Sequence, residues 1–344
     1  MQQESWISKI AFFFNKVLAL LTILAYILPF LAPKLFPFLS VLTLLMPLFI
    51  ILNFIFFIIW VLQLKKKAFL SAIVLLIGFT FISKFYKFSE TNLTESSHEF
   101  KLMSFNVRLF NLYEWLPEKN IPEQITDVIQ EYNPDILCLQ EYSPNDAVRL
   151  RNFPYKHIVL HGNRNKYGQA IYSKFEIVNT GEITFPNSSN NVIFADIVNQ
   201  KDTVRVYSMH LQSIKISTDI HERLDENKSK FIFKRISQAF KEQQLQSELM
   251  KSHYDSCNYP KIVCGDMNNS AFSYVYRNIK DNMNDAFEEG GTGFGKSYNF
   301  KFYPARIDYI FVDDNIQVKE YKTNDQVKLS DHFPLMTRLE FKKD

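Results

Sequence analysis

The sequence predicts an α/β fold for most of the chain, a layered sandwich built on mostly antiparallel sheets, preceded by an apolar membrane segment. The composition changes near residue 90, from a stretch dominated by Leu, Ile, Phe and Val to an ordinary mixture of charged, polar and turn residues. Beyond that point, short β-rich runs follow one another with few helical patterns between them, which is typical of layered α/β domains. This second part, about 250 residues, is long enough for one large domain with its own core.

The N-terminal 90 residues are predicted to be a membrane anchor in contact with the lipid bilayer. Three apolar stretches occupy residues 10–31, 36–62 and 68–86. The first two are long enough as helices to cross about 30 Å of hydrocarbon, and the third is shorter. A cleavable signal peptide has one short apolar region, so three consecutive stretches indicate transmembrane helices instead. We expect a linker over residues 91–98 and the folded domain over residues 99–344.

Charge is divided unevenly along the chain. Residues 1–92 contain eight Lys and two Glu, a net charge of +6, so the total of +3 leaves −3 for residues 93–344. A domain with negative net charge lacks a broad basic surface for non-specific nucleic-acid binding, although a local basic groove is compatible with it. The three cysteines have no spacing that suggests a zinc site or a disulfide framework.

Lysines predict the orientation of the anchor. Residues 65–67, between the second and third apolar stretches, are all Lys. Positively charged loops remain in the cytoplasm, so the domain after residue 90 is expected in the periplasm or at the exterior of an inner or plasma membrane. Lys34, Lys84 and Lys87 favour the opposite orientation more weakly.

Eight strands and two helices are predicted within the folded domain. The helices cover residues 122–132, which end before Asn133-Pro134, and residues 227–253. The strand candidates occupy residues 100–107, 136–140, 168–173, 192–198, 204–211, 261–265, 307–312 and 333–339.

Most of these strands end in a side chain that can bind a metal or transfer a proton. These side chains are Asn106, Glu141, His210, Asp266, Asn268, Asp308, Asp331 and His332. Each alone is weak evidence, because a polar residue at a strand end is usually solvated and a single His is usually structural. Their serial occurrence predicts a divalent-metal site, since Mg²⁺ prefers carboxylate and amide oxygens and leaves positions for phosphate oxygens.

Seven motifs in order resemble the motif series of the endonuclease/exonuclease/phosphatase family. They are SFNVR (104–108), LQE (139–141), YGQAIYSK (167–174), MHLQ (209–212), GDMN (265–268), RIDYIF (306–311) and SDHFP (330–334). The resemblance implies a four-layered α/β sandwich of two packed, mostly antiparallel sheets with the active site at one end. It also implies a hydrolase that requires Mg²⁺, or Mn²⁺ in its place, and cleaves a phosphodiester or phosphomonoester by in-line attack of water.

The resemblance implies which residues bind the metal and the substrate phosphate. Asn106, Glu141 and Asp331 are expected at the metal, with Glu141 as the principal ligand. Arg108 and Arg306 are candidates for phosphate contacts, and a surface arginine without a ligand is an equally good interpretation of each.

Five residues are implied as the catalytic group. Asp266 would orient or activate the attacking water, and Asn268 would hold a phosphoryl oxygen. His332 would be the general base or a phosphate contact, with Asp308 accepting its ring N–H. His210 would contact the scissile phosphate or assist the leaving oxygen.

The substrate remains open between nucleic acid and a lipid or inositol phosphate. Abasic-site endonucleases of the family have a tyrosine motif where this chain has His210, and a histidine there is similar to pancreatic-type deoxyribonucleases, sphingomyelinases and inositol-polyphosphate phosphatases. A third hypothesis is an inactive, membrane-tethered binding domain, which the complete residue set disfavours. GGTGFGKS (290–297) fits the spacing of a phosphate-binding P-loop but lacks the preceding strand, so we interpret it as an active-site loop. No protein partner is indicated.

Overall fold

The computed structural model describes residues 5–89, 93–163, 166–214, 226–301 and 303–342. They divide into two compact units. The helical unit comprises the described residues of the ranges Met1–Phe85, Arg223–Gln244 and Ser270–Arg277. The sandwich unit comprises those of the ranges Tyr86–Glu222, Leu245–Asn269 and Asn278–Asp344. Two segments of the predicted folded domain therefore belong to the same unit as the predicted anchor.

The helices of the first 85 residues follow the three apolar stretches. They are α1 (Trp6–Ile27), α2 (Pro37–Ser40), α3 (Met46–Leu62), α4 (Ala68–Ile77) and α5 (Phe79–Phe85). Short 3-10 turns extend α1 and join α2 to α3. Within the described residues, Trp6–Phe30 and Pro37–Leu62 are each long and apolar enough to cross a membrane.

The third apolar stretch is a bent pair of helices, since α4 and α5 meet at an angle of 66°. The bend lies at Gly78, where an added Cβ would be 2.0 Å from the hydroxyl oxygen of Tyr26. The Tyr26 ring stacks on Phe81 with 5.0 Å between the ring centroids. The aromatic ring thus occupies the space beside the bend, which only a glycine leaves open. If the pair is counted as one span, the described residues contain three candidate spans.

Buried polar side chains join α1, α3 and α4. Asn15 Nδ2 donates to Ser71 Oγ at 2.8 Å, and the indole N–H of Trp60 donates to Asn15 Oδ1 at 2.9 Å. Asn53 Nδ2 donates to Thr22 Oγ1 at 2.7 Å. Such interhelical hydrogen bonds stabilise helix packing where the surroundings offer no water.

Twelve strands and four further helices are found in the described residues after residue 86. The strands are β1 (Phe100–Asn106), β2 (Ile136–Tyr142), β3 (Tyr155–His161), β4 (Tyr167–Ser173), β5 (Glu176–Thr184), β6 (Asn191–Asn199), β7 (Asp202–His210), β8 (Lys261–Asp266), β9 (Asn284–Asp285), β10 (Asp308–Val312), β11 (Ile316–Thr323) and β12 (Leu335–Phe341). The helices are α6 (Ile121–Tyr132), α7 (Glu226–Asp255), α8 (Tyr274–Lys280) and α9 (Ala286–Gly290).

Two six-stranded sheets form the sandwich. The first has the order β11-β12-β1-β2-β4-β3, and the second has the order β5-β6-β7-β8-β10-β9. In each sheet one pair is parallel, β1 with β2 and β7 with β8, and the other four pairs are antiparallel. The eight predicted strands are all present, and the prediction of two mostly antiparallel sheets is confirmed.

Apolar residues of both sheets meet in one core. Leu102 and Cys138 of the first sheet belong to the same buried cluster as Val206 and Cys264 of the second. On the outer face of the first sheet, Ile125 and its neighbours on α6 pack against β1 and β2. On the outer face of the second, the end of α7 packs against β7, with Tyr254 buried. The layers are therefore helix, sheet, sheet and helix, as predicted.

Candidate active site

Strand register brings the predicted residues to one edge of the sandwich. In the parallel pair of the first sheet, Asn106 lies opposite Gln140, directly before Glu141. In the second sheet, His210 and Asp308 both lie opposite Asp266, from the two strands that flank β8. The carboxyl ends of the parallel pairs meet at this edge, and the antiparallel strands β10 and β12 begin there, so the sequence motifs converge although they are far apart in the chain.

Two carboxylates, one from each sheet, share the same polar neighbours. Asn106 Nδ2 lies 3.3 Å from Glu141 Oε1 and 3.1 Å from Asp266 Oδ2. His210 Nε2 lies 3.7 Å and 3.8 Å from the same two oxygens. Glu141 and Asp266 therefore face a common space at the junction of the sheets.

Asp308 and His332 form a buried pair beside these carboxylates. The His332 ring nitrogen Nδ1 lies 3.1 Å and 3.0 Å from the two carboxylate oxygens of Asp308. His332 Nε2 is directed towards Asp266, 3.7 Å from Oδ2. With Nδ1–H donating to Asp308, Nε2 is the ring atom available to a substrate.

Two serines hold this pair in place. Ser297 Oγ accepts hydrogen bonds from the backbone N–H groups of Ile307 and Asp308, each at 3.0 Å. Ser330 Oγ donates to the carbonyl oxygen of Asn106 at 2.8 Å and accepts from the backbone N–H of His332 at 3.2 Å. Ser297 ends the GGTGFGKS loop, which follows helix α9 and is not followed by a helix. This is not the strand–loop–helix arrangement of a P-loop.

Asn268 supports Asp266 directly. Its backbone N–H and side-chain Nδ2 donate to the two oxygens of Asp266 at 2.8 Å and 3.0 Å, and Nδ2 also donates to the carbonyl of Leu211. Asn268 and Glu141 both have positive φ, 54° and 48°. Left-handed backbone at non-glycine residues is uncommon and clusters at functional sites.

The remaining predicted residues lie in different surroundings. Asp331 pairs with Arg108, with 3.4 Å between Oδ2 and Nε. Arg306 is buried, and its Nη1 donates to Asp285 Oδ2 at 2.7 Å. An arginine engaged in a buried ion pair has a structural role. We therefore leave Arg306 out of the phosphate contacts, and the surface alternative for this residue is also wrong.

Burial and neighbouring charges shift the pKa values of the site. Burial raises the pKa of Asp266 to about 8, and the nearby carboxylates Asp308 and Glu141 add to the rise. Burial by itself lowers the pKa of His332, but Asp308 and Asp266 outweigh it and raise the value to about 10. Burial lowers the pKa of His210, which is neutral at neutral pH.

The donor set fits a divalent cation. Within the described residues, Asp266, Asp308 and His332 offer ligand atoms that all lie within 4.8 Å of one another. The buried carboxylate of Asp266, with its raised pKa, is the kind of group that a nearby cation stabilises in its charged form. Of the residues predicted as metal ligands, Asn106 and Glu141 contact the Asp266 region, whereas Asp331 is engaged by Arg108.

A polar network beneath the site was not anticipated from the sequence. Gln140 Nε2 donates to Ser208 Oγ at 2.9 Å, and Ser208 Oγ donates to Gln169 Oε1 at 2.8 Å, which joins the two sheets inside the core. Gly265 lies beside this network with φ of +121°, and an added Cβ would be 2.2 Å from the carbonyl oxygen of Met209. The signal in the sequence is a pair of glutamines, Gln140 and Gln169, that lie inside two of the motifs and within otherwise apolar strands.

Comparison with known families agrees with this geometry. Residues 103–332 match the model of the Endonuclease/Exonuclease/phosphatase family. The protein belongs to this family. Residues 8–85 match a second model, described as a Domain of unknown function (DUF8431). The family match covers all the site residues described above.

Relatives within the family include nucleases. Over 160 residues the chain is 28% identical to exodeoxyribonuclease III of Haemophilus influenzae, which corresponds to 43% of this chain and 52% of that protein. The chain thus spans about half the length of this curated relative. Members of the family are hydrolases of phosphodiester bonds and generally depend on a divalent metal.

Solved structures share the fold at low sequence identity. An endonuclease/exonuclease/phosphatase family protein of Bacteroides thetaiotaomicron is 17% identical with a TM-score of 0.53, covering 72% of this chain and 100% of that chain. TDP2 of D. rerio, complexed with a single-strand DNA product, is 16% identical with a TM-score of 0.53, covering 71% and 100%. Human Nocturnin is 18% identical with a TM-score of 0.52, covering 73% and 98%.

Proposed function

We propose that this protein is a membrane-anchored, Mg²⁺-dependent phosphoesterase that hydrolyses a phosphodiester or phosphomonoester by in-line attack of water. The observation that supports the proposal most is the meeting of Glu141 and Asp266, from different sheets, around Asn106 and His210. The inactive binding domain is disfavoured because all five predicted catalytic residues lie in or beside this arrangement.

Glu141 and Asp266 would hold the cation, with Asn106 beside it as the family resemblance implies. When bound, Mg²⁺ neutralises charge on the phosphate and stabilises the charge that develops on its oxygens. Mn²⁺ has the same preference for oxygen ligands and is expected to replace it. Asp331 remains a candidate ligand if substrate draws Arg108 away.

The side chains of the site accept the proton of the attacking water and bind the oxygens of the phosphate. The raised pKa of about 8 belongs to the metal-free site, and a bound cation would lower the pKa of Asp266 and keep the carboxylate ionised, so that it can accept a proton from the attacking water. His332 carries a proton on each nitrogen at neutral pH, so Nε2–H suits a phosphoryl oxygen, and Asp308 fixes the ring. Asn268 holds Asp266 in place and, as the family resemblance implies, contacts a phosphoryl oxygen. His210, neutral at neutral pH, contacts the scissile phosphate.

Nucleic acid is the substrate class that we propose first. Exodeoxyribonuclease III and the DNA-bound TDP2 structure are both similar to this chain. A lipid or inositol phosphate is the second candidate, supported by two helices long and apolar enough to bring the enzyme to a bilayer.

Contacts inside the helical unit support three membrane crossings. Gln244 Oε1 accepts a hydrogen bond from the backbone N–H of Lys34 at 2.8 Å, and the Arg277 guanidinium lies 4.6 Å from the Phe30 ring centroid. Gln244 and Arg277 therefore lie at the end of the helices where residues 31–36 connect the first two spans. At the other end, Lys65 and Lys67 contact Ser8.

These contacts indicate on which side of the membrane the chain after residue 86 lies. The chain after residue 86 reaches the same side as residues 31–36 only if α4 and α5 together cross the bilayer. We therefore propose three crossings, with the catalytic residues in the periplasm or at the exterior and residues 65–67 in the cytoplasm.

The function is tested on the full chain in detergent, since removal of residues 1–92 would take away the helices that residues 226–244 and 270–277 pack against. Plasmid DNA, single-stranded DNA, RNA, phospholipids, sphingomyelin and inositol phosphates are supplied with Mg²⁺ or with excess EDTA. We expect hydrolysis with Mg²⁺ or Mn²⁺, none with EDTA, and a large loss in His332→Ala. Full activity in EDTA, tightly bound zinc, or wild-type rates in His332→Ala would overturn the proposal.

A further inference from the structure

The segment after β1 has an unusual backbone beside the candidate active site. Four consecutive residues, Arg108–Asn111, have φ values of 42°, 55°, 52° and 62°, and Glu114 has 56°. None of these residues is glycine, and the left-handed region is sparsely populated for other residues. Consecutive residues keep this left-handed conformation only where contacts with the surrounding structure stabilise it.

Asn111 supplies these contacts. Its Nδ2 donates to the carbonyl oxygens of Leu116 and Glu118 at 2.9 Å and 3.3 Å, and its Oδ1 accepts from the backbone N–H of Leu116 at 2.9 Å. Phe110 is buried and lies edge to face with Tyr142, with 5.6 Å between the ring centroids. The loop is therefore closed on itself and anchored to the sandwich at its start.

Between these anchors the loop presents two aromatic rings to solvent. Tyr113 is 56% exposed and Trp115 is 40% exposed, with their ring centroids 5.3 Å apart. We name these two residues the aromatic platform. Large aromatic side chains are usually buried or bound to a partner, and a pre-ordered loop that exposes two adjacent rings is a candidate for ligand stacking.

Arg108 connects the platform to the candidate active site. Its guanidinium lies 4.4 Å from the Trp115 ring centroid, and its Nε lies 3.4 Å from Asp331 Oδ2. The backbone N–H of Arg108 donates to Asn106 Oδ1 at 3.1 Å. One residue therefore contacts the platform and two residues of the site at once.

We propose that Trp115 stacks on a nucleobase next to the scissile phosphate, with the Tyr113 ring, at 72° to Trp115, against the edge of that base, which makes single-stranded nucleic acid the preferred substrate. This inference rests on the proposed phosphoesterase function. Base stacking on exposed aromatic rings beside a cation is the usual chemistry of sequence-tolerant single-strand recognition. Arg108, between platform and site, provides a guanidinium for the phosphate that joins the stacked nucleotide to the reacting one.

Two matched substrates test the platform. The full chain in detergent with Mg²⁺ is given a short single-stranded oligonucleotide with one phosphodiester, its other linkages being phosphorothioates. A second oligonucleotide is identical but carries tetrahydrofuran residues instead of the bases on both sides of that phosphodiester. Kinetics are measured for wild type, Trp115→Ala, Trp115→Phe and Tyr113→Ala, with Tyr259→Ala as a control because Tyr259 is 43% exposed elsewhere on the sandwich unit.

We expect Trp115→Ala to raise KM about tenfold for the base-bearing oligonucleotide and to leave kcat within about twofold, since stacking on the base strengthens binding and takes no part in the chemical step. The base-free oligonucleotide should show no change, Trp115→Phe should restore most of the affinity, and Tyr259→Ala should match wild type. Base-bearing oligonucleotide should also quench the tryptophan fluorescence of wild type more than that of Trp115→Ala in EDTA.

Other outcomes overturn the inference. Equal losses on both oligonucleotides, together with a lowered melting temperature, would show that the rings only support the loop. Hydrolysis of phospholipid vesicles that depends on Trp115, without hydrolysis of either oligonucleotide, would show that the platform meets lipid. In either case a large loss in His332→Ala would leave the phosphoesterase function standing, whereas unchanged rates in that variant would remove the function itself.

Discussion

Substitutions of Asp308 and His332 can distinguish a catalytic role of this pair from a purely structural one. Both are buried, and Nδ1 of His332 contacts both oxygens of Asp308. Structural residues would be buried in the same way, since a strand-end carboxylate can fix the segment before β12. The distinguishing feature is the second ring nitrogen, Nε2, which faces the candidate site and lies 3.7 Å from Asp266 Oδ2.

We expect His332→Ala to lower turnover by about two to four orders of magnitude, the usual contribution of a positioned acid–base group. Asp308→Asn should also be severe, because the amide no longer stabilises the protonated His332 ring that the carboxylate holds. The double variant should be barely slower than His332→Ala, since paired residues act as one unit. Steady-state kinetics of the three variants measure this, and losses that multiply would contradict it.

Thermal melts of the same variants are the control. Each single substitution leaves a buried partner without its counterpart, which costs about 3–5 kcal/mol for a charged pair. A catalytic pair therefore shows large kinetic losses in protein that is still folded at assay temperature. Retained activity with a collapsed melting temperature would assign the pair to structure alone.

The pKa values of Asp266 and His332 predict how stability of the metal-free protein varies with pH. A group whose pKa is raised by folding stabilises the protein below its unfolded pKa, and the contribution is lost as the pH rises through the folded value. For His332 this loss extends from about pH 6.5 to about 10, and for Asp266 from about 3.8 to about 8.

The melting temperature in EDTA should therefore fall between pH 6.5 and 10. His332→Gln should show a smaller fall over the upper half of this range, because the variant lacks the titrating ring. Melts of wild type and variant at each pH give the difference directly. Parallel curves would show that His332 does not hold a raised pKa.

At the scale of elements, one buried arginine joins the end of the sheet to the chain before β1. Arg338 on β12 donates to Glu99 Oε2 at 2.7 Å and to Glu320 Oε2, on β11, at 3.3 Å. Its Nη2 also donates to the carbonyl oxygen of Leu93 at 3.0 Å. The contacts fix the first residues after the anchor to the edge of the first sheet.

Arg338→Met should lower the free energy of unfolding by about 1–3 kcal/mol, because Glu99 and Glu320 lose the guanidinium and keep Lys319 and Lys322 as cations. The exposed Arg151, replaced by Met in the same way, should change it by less than about 0.5 kcal/mol. Denaturant melts of the two variants provide the comparison. Equal midpoints would show that water or lysine side chains compensate fully for the lost guanidinium.

Edge strands explain which elements the sequence predicted and which it did not. The eight predicted strands include all the central strands of both sheets, and the four additional ones, β3, β5, β9 and β11, are the edges. A central strand is buried on both faces and has a continuous apolar run, whereas β5 is largely exposed and mixes polar with apolar residues. The pattern of apolar residues is therefore too weak to predict an edge strand from the sequence.

At the scale of the whole molecule, the proposed three crossings can be tested with reporters. A periplasmic reporter fused after Asp344 should be active, and a cytoplasmic reporter at that position should be inactive. The same pair inserted after Lys67 should give the opposite result, because positively charged loops remain in the cytoplasm. Cytoplasmic activity after Asp344 would show that α4 and α5 do not cross the bilayer together.

The sequence by itself determined the family, the fold class and the positions of the polar residues at the strand ends. It could do so because apolar strands and the side chains that follow them are local features. Asn106, Glu141, His210 and Asp266 lie at or next to the carboxyl ends of their strands, Asp308 begins β10, and the order of the motifs suffices to identify them.

Only the tertiary structure decided which partners these and other residues have. It paired Arg306 with Asp285, joined Gln140 to Ser208 across the core, and placed the bend at Gly78 against Tyr26. It also assigned part of α7 to the helical unit, and no change of composition in the sequence predicts this assignment. Such pairings depend on residues distant in the chain, whose approach is set by strand register and packing, and these are not encoded in any local pattern.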